Sequence, residues 1–182
     1  MEQNDFLLRA IDVLEQAQIP YAVTGSWASI TYGTPRTTHD LDVIVSIRVA
    51  DVPALVAGFP PPIYADAEWI SEAAALGEFF NIIDPTIGLK IDFWPLKDDD
   101  YSQEQFARRR QVSVMGRLVW MLTPEDIILA KLLWHKISES DVQMRDVVGV
   151  WKTQSATLDL NYLRHWAARL SIADLLAKVT TP

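Results

Sequence analysis

The chain contains no cysteine. Disulfides, thiolate nucleophiles and the Cys-rich zinc sites are excluded together. It has no apolar run approaching the ~18 residues that a membrane-spanning helix needs. Its opening residues, Met-Glu-Gln-Asn-Asp, lack the basic start and apolar middle of a secretory signal. No internal repeat or low-complexity tract interrupts it. The histidines, His39, His135 and His165, are widely spaced and read as structural rather than as ligands of one ion. These absences predict a cytoplasmic protein that does not associate with membranes.

What remains is an ordinary globular composition. The 182 residues are 49% apolar and 22% charged, enough to bury a full core, and seven tryptophans can fill that core or line a groove. The length fits one domain with a helical appendage. We place the boundary between a mixed α/β core over 1–121 and a helical C-terminal region over 122–182 packed on it. Charge is uneven. Residues 1–105 hold 5 basic and 17 acidic side chains, a net −12, and residues 106–182 hold 11 and 7, a net +4. An acidic half suited to metal thus precedes a basic half suited to phosphate.

Along the chain, Asn4 or Asp5 can cap a helix through about Gln18 whose apolar residues form one stripe. Tyr21 to Thr24 reads as a buried strand, broken by Gly25-Ser26 into a small-residue helical stretch. Asp40-Leu41-Asp42 leads into a second strand, Val43-Ile44-Val45. Short helices follow over 50–58 and 66–76, separated by a surface connection at Pro60-Pro61-Pro62. Residues 78–83 and 89–94 read as a hairpin, as do 111–114 and 117–121. Between them, Ser102-x-x-Gln105 fits a capping box after an acid run, Asp98-Asp99-Asp100. From Thr123 the pattern is helical, over 123–137, 140–153, 159–169 and 171–178, the last opened by Ser171-x-x-Asp174.

The chemistry concentrates in 21–46. Side chains two apart on a strand leave the same face, so Asp40 and Asp42 stand roughly 7 Å apart at their Cα atoms. Paired carboxylates repel unless a cation lies between them, and hard oxygen ligands suit Mg²⁺ or Mn²⁺. Asp92, in Lys90-Ile91-Asp92-Phe93, is a third carboxylate in an apolar strand, costly to bury unless paired or bound to metal. If its strand lies beside that of Asp40 and Asp42, three carboxylates converge. Such a set, with nucleotide phosphates, can hold two ions about 3.5–4 Å apart. Gly25 lets backbone approach a triphosphate, and Ser26 offers a hydroxyl and an N–H at a helix start. Trp27 and Trp94 lie near this set in sequence and can either stack on a base or pack.

A strand ending in Gly25-Ser26, then Asp40-Leu41-Asp42 after thirteen further residues, then Asp92 in a later strand, resembles the nucleotidyltransferase (DNA polymerase β-like) superfamily. The run Arg36-Thr37-Thr38-His39-Asp40-Leu41-Asp42 is similar to the bacterial AbiEii-type and minimal nucleotidyltransferase proteins. So are Thr123-Pro124-Glu125-Asp126, Ala130-Lys131-Leu132 and Arg145-Asp146-Val147 in the helical part. The likeness covers residues 20 to about 150. It implies a mixed sheet with flanking helices and a metal-dependent enzyme that moves a nucleoside monophosphate from an NTP to an acceptor hydroxyl. Asp40, Asp42 and Asp92 carry over as catalytic metal ligands for Mg²⁺ or Mn²⁺, with Asp92 as general base. Gly25 and Ser26 carry over as the triphosphate loop, and Lys131, Arg36 and Arg145 as phosphate contacts. The implied acceptor is an RNA or tRNA end, a protein or a small molecule, and the basic C-terminal part with Arg108-Arg109-Arg110 suits a phosphate backbone. A toxin-antitoxin or phage-defence role with a cognate antitoxin fits the same relatives. The alternative is a non-catalytic nucleotide- or partner-binding protein that keeps the fold.

Overall fold

A computed structural model describes residues 3–38 and 40–180, so His39 lies outside it. In chain order the elements are α1 (Gln3–Gln16), β1 (Tyr21–Thr24), α2 (Gly25–Tyr32), β2 (Asp40–Val45), α3 (Val52–Ala57), α4 (Ala67–Leu76), β3 (Phe80–Asp84), β4 (Leu89–Pro95), α5 (Asp100–Ala107), β5 (Arg110–Val114), β6 (Arg117–Met121), α6 (Pro124–Ser138), α7 (Asp141–Gln154), α8 (Leu160–Arg169) and α9 (Ala173–Thr180). The strands form one mixed sheet in the order β3-β4-β2-β1-β6-β5. Pairs β2–β4 and β1–β6 are parallel; β1–β2, β3–β4 and β5–β6 are antiparallel. This is the expected α/β core with its helical C-terminal third.

The alternation of each central strand decides which face does what. On β2, Leu41, Val43 and Val45 are buried; on β4, Leu89, Ile91 and Phe93 are. Those six side chains leave one face of the sheet, with α1 packed against β4 and contributing Phe6, Ala10, Ile11 and Leu14 to the core. Each Val, Leu, Ile and Phe among them contributes about 1.5–3 kcal/mol by leaving water. The opposite face therefore receives Asp40, Asp42 and Ile44 from β2 and Lys90, Asp92 and Trp94 from β4, aligned rung by rung.

Beyond the sheet, α6 and α7 pack on α2. The approach is close enough to require glycine. A Cβ at Gly33 would meet Val150 N at 2.8 Å, and one at Gly149 would meet Thr34 Oγ1 at 3.0 Å. The buried side chains of both halves of the chain join one continuous core. Among the described residues, no helix is long and apolar enough to cross a membrane.

Several boundaries differ from expectation for local reasons. Helix α1 already includes Asn4 and Asp5, so neither is its cap, and it ends at Gln16. There Gln18 turns left-handed (φ 54°) and Ile19 N–H donates back to Leu14 O. The stretch over 50–58 divides into one 3₁₀ turn (Val49–Asp51) and α3, where Asp51 accepts from Arg48 N and Nε. Strand β3 starts at Phe80 because Glu78 N–H is taken by Ala73 O, closing α4 past Gly77 (φ 68°). The cap of α5 is Asp99, whose carboxylate accepts from Ser102 N (2.9 Å) and Oγ (2.7 Å), so Ser102 lies inside the helix. Ser171 sits at φ 56° with its N–H on Ala168 O and does not cap α9. Thr123 does cap α6, accepting from Asp126 N.

Candidate active site

Strand β1 runs into α2 without a loop: Thr24 is the last strand residue and Gly25 the first helical one. Gly25 has φ +61°, and a Cβ there would lie 2.0 Å from Asp42 Oδ2. The position demands glycine twice, for its backbone angle and for the carboxylate lodged against it. Asp42 thereby points at the start of α2, where Ser26 presents its hydroxyl. Burial pushes the Asp42 carboxyl above the usual range; the indole N–H of Trp94 (3.4 Å) counters this and neighbouring Asp92 adds to it.

Parallel register sets Asp42 opposite Asp92 and Asp40 opposite Lys90. The three carboxylates expected to converge do share one patch of sheet. Their environments differ. Asp40 is exposed. Asp92 is buried, with Oδ2 2.6 Å from Lys90 Nζ, while Oδ1 is buried and has no hydrogen-bond partner among the described residues. The hydrogen bond to Asp92 holds the Lys90 ammonium above its ordinary pKa despite partial burial. As they stand, no three His, Asp or Glu side chains among the described residues are gathered around one point where an ion would sit. The donor set nevertheless fits a hard divalent ion: an orphaned buried carboxylate oxygen, a neighbouring carboxylate disfavoured by burial, and a third acid at the rim.

The basic residues form a second group. Arg36 donates through Nε and Nη2 to both oxygens of Asp146 (3.0 and 2.9 Å) and through Nη2 to Ser26 Oγ (2.8 Å). Lys131, buried on α6, reaches Asp146 Oδ2 at 2.9 Å. Burial alone would raise the Asp146 carboxyl, but the bonds from Arg36 and Lys131 outweigh it and hold it low. Arg145, read beside Lys131 as a phosphate contact, is exposed and does not line the cleft; its neighbour Asp146 joins the network instead.

A cleft of about 640 Å³ opens between this end of the sheet and α6. Gly25, Ser26, Asp42 and Lys131 line one part, and Trp94 and Trp134 another. Trp94 packs on Phe79 (ring centroids 4.7 Å apart) and stands edge-on to Trp134 at 6.1 Å. Trp27 is buried in the core. The arginine triplet is largely occupied by rings: Arg108 stacks over Tyr162, Arg109 over Phe106 and Arg110 over Tyr32. Sequence reasoning missed Lys90, Asp146 and Trp134. For Lys90 a signal existed, since the period of two puts it on the face of Asp92.

No family model matches the chain, and no curated protein matches it. Solved structures do. An antigenic nucleotidyltransferase-like protein from Paracoccidioides brasiliensis matches with a TM-score of 0.63 at 16% identity, covering 96% of this chain and 87% of that one. The antibiotic-resistance factor ANT(2'')-Ia matches in solution with a TM-score of 0.60 at 14% identity over 94% of each chain. The same factor in complex with adenylyl-2''-tobramycin matches with a TM-score of 0.56 at 12% identity, covering 92% and 95%. At these identities the likeness establishes the fold.

Proposed function

We propose that this chain, which has the nucleotidyltransferase fold, is itself a metal-dependent nucleotidyltransferase. It moves a nucleoside monophosphate from an NTP to an acceptor hydroxyl. The observation that carries this reading is the Asp42–Asp92 rung, set against a glycine–serine helix start whose geometry leaves no room for a side chain. Mg²⁺ or Mn²⁺, held by Asp42, Asp92 and Asp40, would neutralise charge on the triphosphate and the attacking oxygen. The first turn of α2 offers backbone N–H groups to the phosphates, with Ser26 held in place by Arg36. Lys131 faces the same cleft and adds positive charge. The acceptor oxygen bonds to the α-phosphorus as the bond to the bridging oxygen breaks, pyrophosphate leaves, and Asp92 takes the hydroxyl proton.

The acceptor end of the cleft is walled by Trp94, Trp134 and Ile137, surfaces that suit a ring or an unstacked base. The arginine triplet is held against protein rings and does not line the cleft, so it lies aside from the acceptor end. This favours the end of an RNA such as tRNA, a protein side chain or a small molecule over a duplex. A toxin acting on RNA ends, with an antitoxin partner, is one form of this function.

The test is label transfer. The chain is incubated with Mg²⁺, each α-labelled NTP and total tRNA or cell lysate, beside an Asp40→Ala/Asp42→Ala variant. Labelled product is expected from the native chain and at least 100-fold less from the variant; equal labelling by both sinks the assignment. NTP binding without turnover over every acceptor would instead support a binding module. Expressed in cells, the same two chains separate a toxin from other enzymes by growth arrest that the variant relieves.

A further inference from the structure

The cleft between the sheet and α6 changes character along its length. Its donor end carries the charges of Asp42 and Lys131. Beyond them the wall is apolar, with Trp94 of β4 facing Leu133 and Trp134 of α6 and, past α8, Leu170. The other charged residues along it, Lys97 and Asp99, are exposed, and the Asp99 carboxylate is already taken by Ser102 N and Oγ. Two polar atoms are left over within this wall. Tyr101 is 8% exposed and packs on Trp166 (ring centroids 5.0 Å), and its buried hydroxyl has no hydrogen-bond partner among the described residues. The side-chain oxygen of Gln143 on α7 is likewise buried and unpartnered. Both residues line the cleft. Burial pushes the Tyr101 phenol well above its usual range, so it stays an O–H donor. A buried polar atom without a partner destabilises the fold, and two beside one cleft point to a ligand that satisfies them.

We propose that this end of the cleft is a subsite for an uncharged, ring-bearing alcohol, and that such a small molecule is the acceptor. The inference rests on the nucleotidyltransferase reading above and narrows its acceptor. Trp94 and Trp134 flank the ligand's ring. Tyr101 donates to an oxygen on that ring, and Gln143 Oε1 accepts from an N–H or O–H. An amine or a phosphate seated here would bring charge to a wall that has no free partner for it. That disfavours a polycationic acceptor and a chain whose phosphodiesters must cross the wall. The transfer itself is unchanged: the alcohol's oxygen bonds to the α-phosphorus, pyrophosphate leaves, and the hydroxyl proton passes to Asp92. Tyr101 is thereby a specificity-determining residue.

The test uses probes that share one ring and one hydroxyl and differ at the opposite end. They are para-(hydroxymethyl)benzamide, which is neutral, para-(hydroxymethyl)benzylamine, a cation, and para-(hydroxymethyl)benzoate, an anion. Ligand-observed NMR titrations of the native chain are run without metal or nucleotide. The amide is expected to bind with a Kd of about 1 mM, and the charged probes about tenfold more weakly or worse. Tyr101→Phe is expected to weaken the amide about tenfold and to leave the charged probes unchanged. That variant deletes only an unpartnered hydroxyl, so it is expected to melt no lower than the native chain. Equal or tighter binding of a charged probe overturns the proposal, as does an amide indifferent to Tyr101→Phe. With Mg²⁺, α-labelled NTP and saturating amide, label is expected on the amide's hydroxymethyl oxygen. Label on total tRNA and none on the amide overturns the proposal while leaving the nucleotidyltransferase reading intact. Displacement of the amide by NTP assigns the rings to the nucleotide's base and overturns it too. If the amide binds as expected but no acceptor of any kind is labelled, the enzymatic reading and the acceptor role fall together.

Discussion

At the scale of the residue, Gly25 and Asp42 set the strictest condition in the molecule. Any side chain at position 25 must occupy the place of the Asp42 carboxylate while holding a left-handed backbone angle. Gly25→Ala is therefore expected to lower label transfer by at least 100-fold. Its stability cost should be only about 1–3 kcal/mol, since the strain is confined to one residue and its neighbour. Activity assays beside denaturant melts check this; near-native activity would show that Asp42 can move aside without consequence. Lys90 teaches the converse. A charged residue two positions before a carboxylate on a strand is placed by simple alternation, yet its meaning depends on which strand lies alongside. Only the parallel register, which the sequence does not state, put it next to Asp40.

At the scale of the element, Asp146 of α7 ties together Lys131 of α6 and Arg36 of the segment before β2. Removing it with Asp146→Ala leaves Lys131 as a buried, unpaired ammonium. A loss of about 3–5 kcal/mol in unfolding free energy is expected, measurable by urea denaturation at neutral pH. A loss under 1 kcal/mol would mean that water reaches Lys131. Because the Asp146 carboxyl is held low, the stability it contributes is present at neutral pH and disappears as pH falls through the acid range. The elements themselves were largely legible. Alternation located β2 and β4, proline with a threonine cap located the start of α6, and left-handed glycine located the end of α4. What was not legible is competition among several capable caps. In Asp98-Asp99-Asp100-Tyr101-Ser102, four residues of two types could begin a helix, and Asp99 prevails by bonding both groups of Ser102. Likewise, in Arg145-Asp146 the arginine reads as the phosphate contact until the packing of α7 on α2 turns its neighbour inward instead.

At the scale of the whole molecule, the apparent division into acidic and basic halves dissolves on folding, because many cations of the second half are spent internally. Arg108 lies over Tyr162 and within 3.9 Å of Asp126, and Arg117 pairs with Asp12 across the chain. Asp126 is the most deeply buried of these acids, accepting from Thr123 Oγ1 and Tyr162 Oη (both 2.6 Å), with its pKa raised by burial to about 6. The folded state therefore keeps a proton that the unfolded chain gives up near its ordinary 3.8. Stability from this group is complete below that value and is lost as pH rises towards 6, by on the order of 3 kcal/mol. Asp126→Asn, which has no proton to lose, is expected to flatten most of this decline. Unfolding free energies at pH 4.5 and 7.5 test it, and an equal decline in both proteins would contradict it. Asp42, raised in the same direction, supplies the residual slope.

The contact between Gly25 and Asp42 has a consequence for how such a sequence drifts over generations. Neither position can vary alone and keep the chemistry: a larger residue at 25 evicts the carboxylate, and a shortened residue at 42 discards it. A lineage that abandons the chemistry would be released first at 42, after which 25 becomes free to accept almost anything compatible with its backbone angle. The order of loss is thus written into one interatomic gap. A descendant carrying a side chain at 25 beside an intact aspartate at 42 would keep the fold at a modest cost while its carboxylate stands displaced from the site.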